Sequence, residues 1–419
     1  MVDCPELRAA TKWRTEVAHP SDAEKGGLAS DSTEETKEKE GMRSWRCVTL
    51  LVSCFFVLCL ASASSAAQTE DRLQKLEQEV EKLKAPQETS SKMADFIDRL
   101  NMSVELGIWG TYTSRYDDNA GEESDIALDT LEVYFEPRLN DWIQGYVELE
   151  YDDDDASMKG EEGRIIVKNT DVSPVYAEFG KFEAIPYGGF ETFMIEGSLT
   201  ENLGEIKDVG AVAGFERAGF NLRGCLYNGD VNEAGEKDDH LNDYSLKATY
   251  STERGPMSLK LGGSYLNNVA NSDVKDYLDT TPVQDKVAGA DAFAVIGWKD
   301  LTVIGEYIAA LDDFQEMQYN GENADPSIWN VELGYGFDLM ERPCTVAVGY
   351  SASEEFANTA TGDFIPETRY MAHFDTEIMD NVSWGVEYQQ NEAYDESGIP
   401  SAQRGQEENV VRTELAMEF

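Results

Sequence analysis

The sequence predicts an all-β protein: a transmembrane antiparallel β-barrel of about sixteen strands, with a short N-terminal coiled-coil helix ahead of it. Three observations carry the prediction. From residue 101 onward, units of about ten alternating residues are separated by turns. An apolar segment of signal-peptide length stands upstream of them. The chain closes on "NVVRTELAMEF", in which Phe419, Met417, Leu415, Thr413 and Val411 share one face of an extended chain while Glu418, Ala416, Glu414 and Arg412 share the other. An aromatic closing such a strand is the expected assembly signal for barrel-assembly machinery, with Phe419, Met417 and Leu415 as the residues read.

Composition narrows the alternatives. The 419 residues are 41% hydrophobic, a length that fits two or three soluble domains or one large barrel. Asp and Glu number 82 against 34 Lys and Arg, and the net charge of -48 excludes phosphate-tracking nucleic-acid binding because the dominant interaction would be repulsive. The 7 Trp, 19 Tyr and 17 Phe recur at even spacing, which a disordered acidic chain would lack. A large soluble β-sandwich shares the alternation and the turns. The upstream segment, the loop-length asymmetry described below and the closing phenylalanine favour the barrel.

Residues 1–41 are charged and aperiodic, and read as disordered or as an over-extended start. Residues 42–67 read as a signal peptide: Arg43 and Arg46 flank "CVTLLVSCFFVLCLA", and "ASASSAAQ" places cleavage after Ala67. The run is shorter than the roughly 20 apolar residues of a spanning helix. Cys4, Cys47, Cys54 and Cys59 fall in or before this segment, leaving Cys225 and Cys344. Those two are expected on opposite faces of distant strands, so no disulfide is expected, and no metal-type cysteine spacing exists. In residues 69–85, Leu73, Leu76, Val80 and Leu83 follow a 3-4-3 spacing that Pro86 ends. Two heptads are stable mainly in association, so this reads as a periplasmic coiled coil of a homotrimer; a surface helix on its own domain is the alternative. Residues 86–100 read as a linker, and 101–419 as the barrel.

Each strand follows from its alternation. In 102–112, Met102, Val104, Leu106 and Ile108 oppose Ser103, Glu105 and Gly107. In 129–136, Leu131, Val133 and Phe135 oppose Thr130, Glu132 and Glu136; in 142–151, Ile143, Val147, Leu149 and Tyr151 oppose Gln144, Glu148 and Glu150. Further strands are expected at 164–171, 175–183, 208–215, 218–227, 242–250, 256–266, 290–298, 301–311, 328–338, 344–352, 368–378, 382–390 and 409–419. Short joins such as "PRLND", "ERAG", "KD" and "MDN" alternate with long ones such as "DDDDASMKGEEG" and "EAYDESGIPSAQRGQEE", the asymmetry of periplasmic turns and external loops in the outer membrane of a Gram-negative bacterium. Trp142, Trp298, Trp384, Tyr265, Tyr350 and Tyr388 are expected in interfacial girdles against outer-membrane lipid.

With the apolar face toward lipid, the other face lines a lumen. Arg223, Lys247 and Lys260 are expected inward on neighbouring strands as a basic ladder, with Glu132, Glu148, Glu306, Glu332, Glu387, Glu414, Arg369 and Arg412 as further pore-lining residues. Opposed charges across a narrow pore set up a transverse field that orients polar solutes. The join "AIPYGGFETFMIEGSLTENLGEIK" (184–207) is long and apolar, so it is expected to fold inward as a constriction loop. Pro186, Gly188 and Gly189 permit its bend, Phe190, Phe193, Met194 and Ile195 pack on the wall, and Glu191 and Glu196 face the basic ladder. A lid outside the pore, or a contact between barrels, is the other arrangement. The acidic run 152–155 matches no calcium-loop pattern, and no metal or cofactor is expected.

"GKFEAIPYGGFETFMIEGSLTENLGE", "YNGDVNEAGEKDDHLNDYSLKATY", "PRLNDWIQGYVELEY" and the short coiled coil resemble the legiobactin-receptor (LbtU) family of siderophore porins over residues 69–419, most clearly over 127–270. The resemblance implies a sixteen-stranded outer-membrane barrel taking up ferric siderophore without a plug domain and without TonB coupling. It supplies no binding motif. A porin for small hydrophilic solutes is therefore the leading expectation, either for ferric siderophore or as a general diffusion porin preferring cations. A barrel that tethers the envelope through its coiled coil is a structural alternative. An enzyme is not expected: of the two histidines beyond the signal segment, His240 lies in a loop and His373 on a lumenal face near Asp375, with no serine in a nucleophile-like context.

Overall fold

The computed structural model describes residues 99–116, 121–152, 156–236, 241–279, 282–359, 361–396 and 399–419. The signal segment 42–67, the coiled coil 69–85, linker residues 86–98, Asp153–Asp155 and His240 lie outside the described residues.

Alternating sequence folds into one closed antiparallel barrel. Its first half is β1 (Leu100–Ser114), β2 (Glu122–Pro137), β3 (Ile143–Asp152), β4 (Ser157–Val167), β5 (Val175–Phe182), β6 (Asp208–Arg217), β7 (Phe220–Tyr227) and β8 (Asp243–Arg254). Its second half is β9 (Met257–Leu266), β10 (Gly289–Trp298), β11 (Leu301–Ala310), β14 (Ser327–Leu339), β15 (Arg342–Glu354), β18 (Thr368–Met379), β19 (Val382–Glu392) and β20 (Glu407–Glu418). Two small hairpins, β12 (Phe314–Tyr319) with β13 (Glu322–Ala324) and β16 (Ala357–Asn358) with β17 (Asp363–Phe364), sit in long connections. β1 pairs with both β2 and β20, so no edge is left open. All sixteen expected strands correspond to barrel strands.

The fourth departs most from expectation, running over Ser157–Val167 rather than 164–171. Its outward positions include Gly160 and Gly163, opposite Leu149 and Val147, so the apolar beat disappears while Arg164 and Glu162 are buried inward. The expected long loop "DDDDASMKGEEG" is consequently mostly strand. Elsewhere the loop asymmetry holds. The two-residue turns Ala218-Gly219 and Met340-Glu341 have positive φ at both positions, as the hairpin turn that matches strand twist requires.

The outer surface is an apolar belt: Ile165, Phe179, Leu222, Leu226, Leu246, Val348 and Leu415 are all exposed. Aromatic pairs Tyr244–Tyr265, Trp329–Tyr350 and Tyr350–Tyr370 lie toward the long-loop end, and Phe220–Tyr250 and Phe374–Trp384 toward the other. Phe419 closes the seam, its N–H donating to Val104 O at 3.0 Å and its carbonyl accepting from Val104 N–H at 3.2 Å. Cys225 and Cys344 are free and buried.

The packed core is inside the barrel. Phe182, Ile185, Tyr187, Leu199, Leu203, Tyr227, Leu266, Ile308, Phe314, Ile328 and Phe356 form one buried cluster. It joins the segment 183–207 to the connections following β7, β9, β11 and β15. Each such side chain contributes about 1.5–3 kcal/mol by leaving water. These connections are therefore anchored, and they fill one side of the lumen.

Candidate functional site

The segment between β5 and β6, expected from its apolar sequence to be a constriction loop, packs against residues of the barrel wall. After Pro186 the chain turns through Gly188, at φ +64°, where a Cβ would collide with the ring of Phe190. A Cβ on Gly189 would strike Phe293 on the wall. Three wall carboxylates then grip the loop backbone. Glu306 on β11 accepts from Gly189 N–H at 2.5 Å and from Thr200 Oγ1 at 2.8 Å. Glu332 on β14 accepts from Phe193 N–H and Thr192 Oγ1, both at 2.7 Å. Glu387 on β19 accepts from Ile195 N–H at 2.6 Å. The Phe193 ring lies over Gly334, and Met194 packs with Met371 and Ala347. Glu201 opens a single helical turn, α1 (Glu201–Gly204), and its carboxyl is pushed up to about 8 by burial and then by the neighbouring Glu205.

This arrangement changes the reading of several residues. Glu306, Glu332 and Glu387, expected to line the pore, are buried beneath the loop; strand parity gave their inward direction but not what fills the space they face. The basic residues are also engaged. Arg223 sits directly opposite Lys247 and lies 3.4 Å from Glu178, which also takes Arg164 at 2.7 Å. Lys260 is offset along the barrel, paired with Ser251 rather than level with Lys247, yet both ammonium groups lie within 6 Å of the Phe293 ring. Lys260 forms an ion pair with Glu191, and Arg412 forms one with Glu196 while stacking over Trp109. The loop acids thus meet basic groups by direct contact, not across an open gap. Arg369 is buried, donating to Asn391 at 2.8 Å. Glu148 accepts from Tyr146 at 2.9 Å and clusters with Glu162 and Glu183 away from the loop tip.

A cavity of about 250 Å³ lies between the loop tip and wall residues of β15, β18, β20, β1 and β2. Thr192, Phe193, Met194 and Ile195 form its loop side. The wall side carries Glu105, Asp129, Glu132, Asp375 and Glu414, with Trp109, Thr130, Thr345 and His373. Among the described residues, no lysine or arginine lines it. Glu132 and Glu414 were expected inward from the alternation; Asp129 was not, because a register shift opposite Gly107/Ile108 makes it the extra residue of a bulge. Bulges re-aim side chains, and this one brings Asp129 into the cavity beside Thr130, whose hydroxyl donates to it at 2.8 Å. Glu105 stands directly opposite Glu132, which in turn stands opposite Glu150. His373 and Asp375 meet at 3.1 Å, as their spacing on one strand face suggests.

No family model matches the chain. Among curated proteins it is similar to a UPF0422 protein of Coxiella burnetii (24% identical over 305 residues, 67% of this chain and 64% of that one). A UPF0422 protein of Legionella pneumophila strain Lens is 22% identical over 299 residues, 65% of this chain and 55% of that one. The chain therefore spans less than two thirds of either relative. Among solved structures, the outer-membrane channel DcaP of Acinetobacter baumannii matches with TM-score 0.53 and 14% identity, over 76% of this chain and 97% of that one. The anion-selective porin of Comamonas acidovorans matches with TM-score 0.54 and 9% identity, over 76% and 99%. Salmonella typhi OmpF in complex with daunomycin matches with TM-score 0.52 and 12% identity, over 76% and 97%. The fold is that of the outer-membrane porins.

Proposed function

We propose that this protein is an outer-membrane diffusion porin for small hydrophilic solutes that prefers cations. The observation that carries the reading is the cavity beside the inserted loop, with five wall carboxylates and no lysine or arginine among its described lining residues. Fixed negative charge in a narrow aqueous path concentrates cations and repels anions. The apolar belt and the closed sheet support membrane insertion, because closing the sheet leaves no open strand edge to lipid. His373 and Asp375 read as part of the channel wall rather than as catalytic groups.

Ferric siderophore uptake, which the family resemblance implies, fits this channel for complexes without net negative charge. A homotrimer assembled through the coiled coil of residues 69–85 completes the proposal. Deleting residues 69–86 separates an assembly role, in which trimers are lost and conduction stays, from an envelope tether, in which envelope integrity fails. The central test is the reversal potential of the refolded full chain in a planar bilayer under a potassium chloride gradient. A potential of cation-selective sign is expected; one of anion-selective sign, or a barrel without conductance, overturns the reading.

A further inference from the structure

The short-turn end of the barrel carries an arc of charge opposite in sign to the chain as a whole. Arg217, Arg254, Lys299 and Arg342 stand at four successive turns around the wall, those joining β6 to β7, β8 to β9, β10 to β11 and β14 to β15, and all four are exposed. Directly paired residues of antiparallel strands share a face. Arg217 pairs with Phe220, Arg254 with Met257 and Arg342 with Leu339, and each partner is an exposed residue of the apolar belt. The Lys299 ammonium lies 5.2 Å from the ring of Trp298, which is exposed as well. The four basic residues therefore edge the lipid-facing surface. Their acidic neighbours Glu216, Glu253 and Asp338 pair with Asn221, Ser258 and Pro343 and so fall on the lumenal face; Asp300 and Glu341 lie in the turns themselves.

The arc is fixed in place and one-sided. Backbone bonds tie its turns to the strands that follow: Ser251 N–H donates to Gly219 O at 2.8 Å, Lys299 N–H to Pro256 O at 2.7 Å and Gly336 N–H to Asp300 O at 2.8 Å. Elsewhere at this end, Lys168 meets Glu216 at 2.8 Å and the buried Tyr176 ring, Arg138 bridges to Gln144 on the lumenal face, and the β18–β19 turn carries Asp380. Among the described residues, Arg217, Arg254 and Arg342 form no ion pair. Successive turns stand two strand spacings apart, about 10 Å, so each cation meets its own partner rather than sharing one. Alkyl stems lying along apolar surface with guanidinium or ammonium heads at its rim match a phosphodiester at the edge of acyl chains. A phosphate whose headgroup carries no compensating cation fits best.

We infer that this arc holds anionic phospholipid of the periplasmic leaflet, its cations on headgroup phosphates and Phe220, Met257, Trp298 and Leu339 among the acyl chains. The inference goes beyond the solute path and needs only that this face of the wall meets lipid. A chain of net charge -48 repels anionic lipid on average, and charges beyond about 10 Å are screened at about 0.1 M salt, so a preference for it must come from a local patch. The refolded full chain, taken into detergent from equimolar phosphatidylglycerol and phosphatidylcholine vesicles with the same acyl chains, is weighed by native mass spectrometry. It should retain phosphatidylglycerol over phosphatidylcholine by at least about fivefold, the effect of one basic side chain near an anionic surface, and should not retain glycerol phosphate, which lacks the chains. Changing Arg217, Arg254, Lys299 and Arg342 together to Gln should bring the ratio to about one. Arg254→Gln with Lys299→Gln should lower it severalfold and serves if the fourfold variant does not fold. Arg115→Gln with Lys159→Gln, at the other end of the barrel, should leave it at the wild-type value. Equal retention of the two lipids would overturn the inference and leave the arc to an acidic periplasmic protein. Retention of glycerol phosphate, a ratio unmoved by the arc variants, or an equal loss in the Arg115 and Lys159 variant would overturn it too. A cation-selective channel without lipid preference would remove this inference alone, and a barrel that prefers phosphatidylglycerol but conducts nothing would remove the porin reading alone.

Discussion

Glu332→Ala tests the grip on the inserted loop most directly. Glu332 is 1% exposed and accepts from Phe193 N–H at 2.7 Å, Thr192 Oγ1 at 2.7 Å and Asn330 Nδ2 at 2.8 Å. Alanine leaves those donors without this acceptor. A stranded buried donor costs about 1–3 kcal/mol, and two of the three belong to the loop, so the tip loses roughly 2–6 kcal/mol of preference for its inserted position. Even about 2 kcal/mol corresponds to roughly a 30-fold change in the ratio of inserted to released tip. Glu332→Gln keeps one acceptor but loses the charge, which makes such bonds about twice as strong, so its effect should be intermediate. Amide hydrogen exchange is the assay: protection at Phe193 should fall in the order wild type, glutamine, alanine. Ile195, held separately by Glu387, should change less. Single-channel conductance should become larger and noisier while the barrel stays folded. Unchanged protection at Phe193 in a folded Glu332→Ala barrel would refute the clamp.

Three further outcomes are expected. Burial pushes the Glu201 carboxyl up to about 8 from an ordinary 4.5, so the folded loop holds an extra proton between these values. Its contribution is therefore complete below pH 4.5 and fades as pH rises to about 8, and Glu201→Gln should flatten that slope in urea unfolding; a wild-type slope in the variant would exclude Glu201 as its source. Lys260→Glu places a carboxylate against Glu191, so limited proteolysis should cut the loop faster than in wild type, and equal cutting would show that this ion pair does not hold it. Removing Phe419 deletes two seam hydrogen bonds to Val104, worth about 0.5–1.5 kcal/mol each, and should lower the yield of folded barrel; an undiminished yield would show that the seam closes without them.

Alternation with period two was enough to locate the strands, because outward side chains meet an apolar surround and inward ones water or the inserted loop. It failed where that contrast failed. β4 carries glycines outward, and the start of β2, "EESDIALD", groups its apolar residues Ile126, Ala127 and Leu128 together instead of alternating them. For the site, parity identified Glu132 and Glu414 as inward, but it is blind to a bulge, so Asp129 was illegible. It also gives direction without depth: Glu306, Glu332 and Glu414 have the same inward signature, yet the first two hold a loop and the third faces the channel. The loop's inward fold was legible because "YGGFETFMIEG" is too apolar for an external connection. Which acids it would cover depends on contacts far apart in sequence.

The same distinction bears on the substrate. The expected transverse field needs basic groups facing carboxylates across water, but Lys260 and Arg412 are bound to the loop acids and Arg223 to Glu178. On the proposed porin reading, selectivity then falls to the carboxylates on the cavity wall. A unit negative charge about 4 Å from one of them is disfavoured by about 1 kcal/mol in bulk water and about 4 kcal/mol at the effective dielectric of a protein surface. About 1.4 kcal/mol is tenfold, so an anionic ferric complex should cross far more slowly than a neutral solute of its size. In liposome swelling, a neutral oligosaccharide should outpace an anionic ferric carboxylate complex, and Glu105→Gln with Glu132→Gln should narrow the gap. If the anion crosses faster in wild type, the acidic cavity is not the path that solutes take.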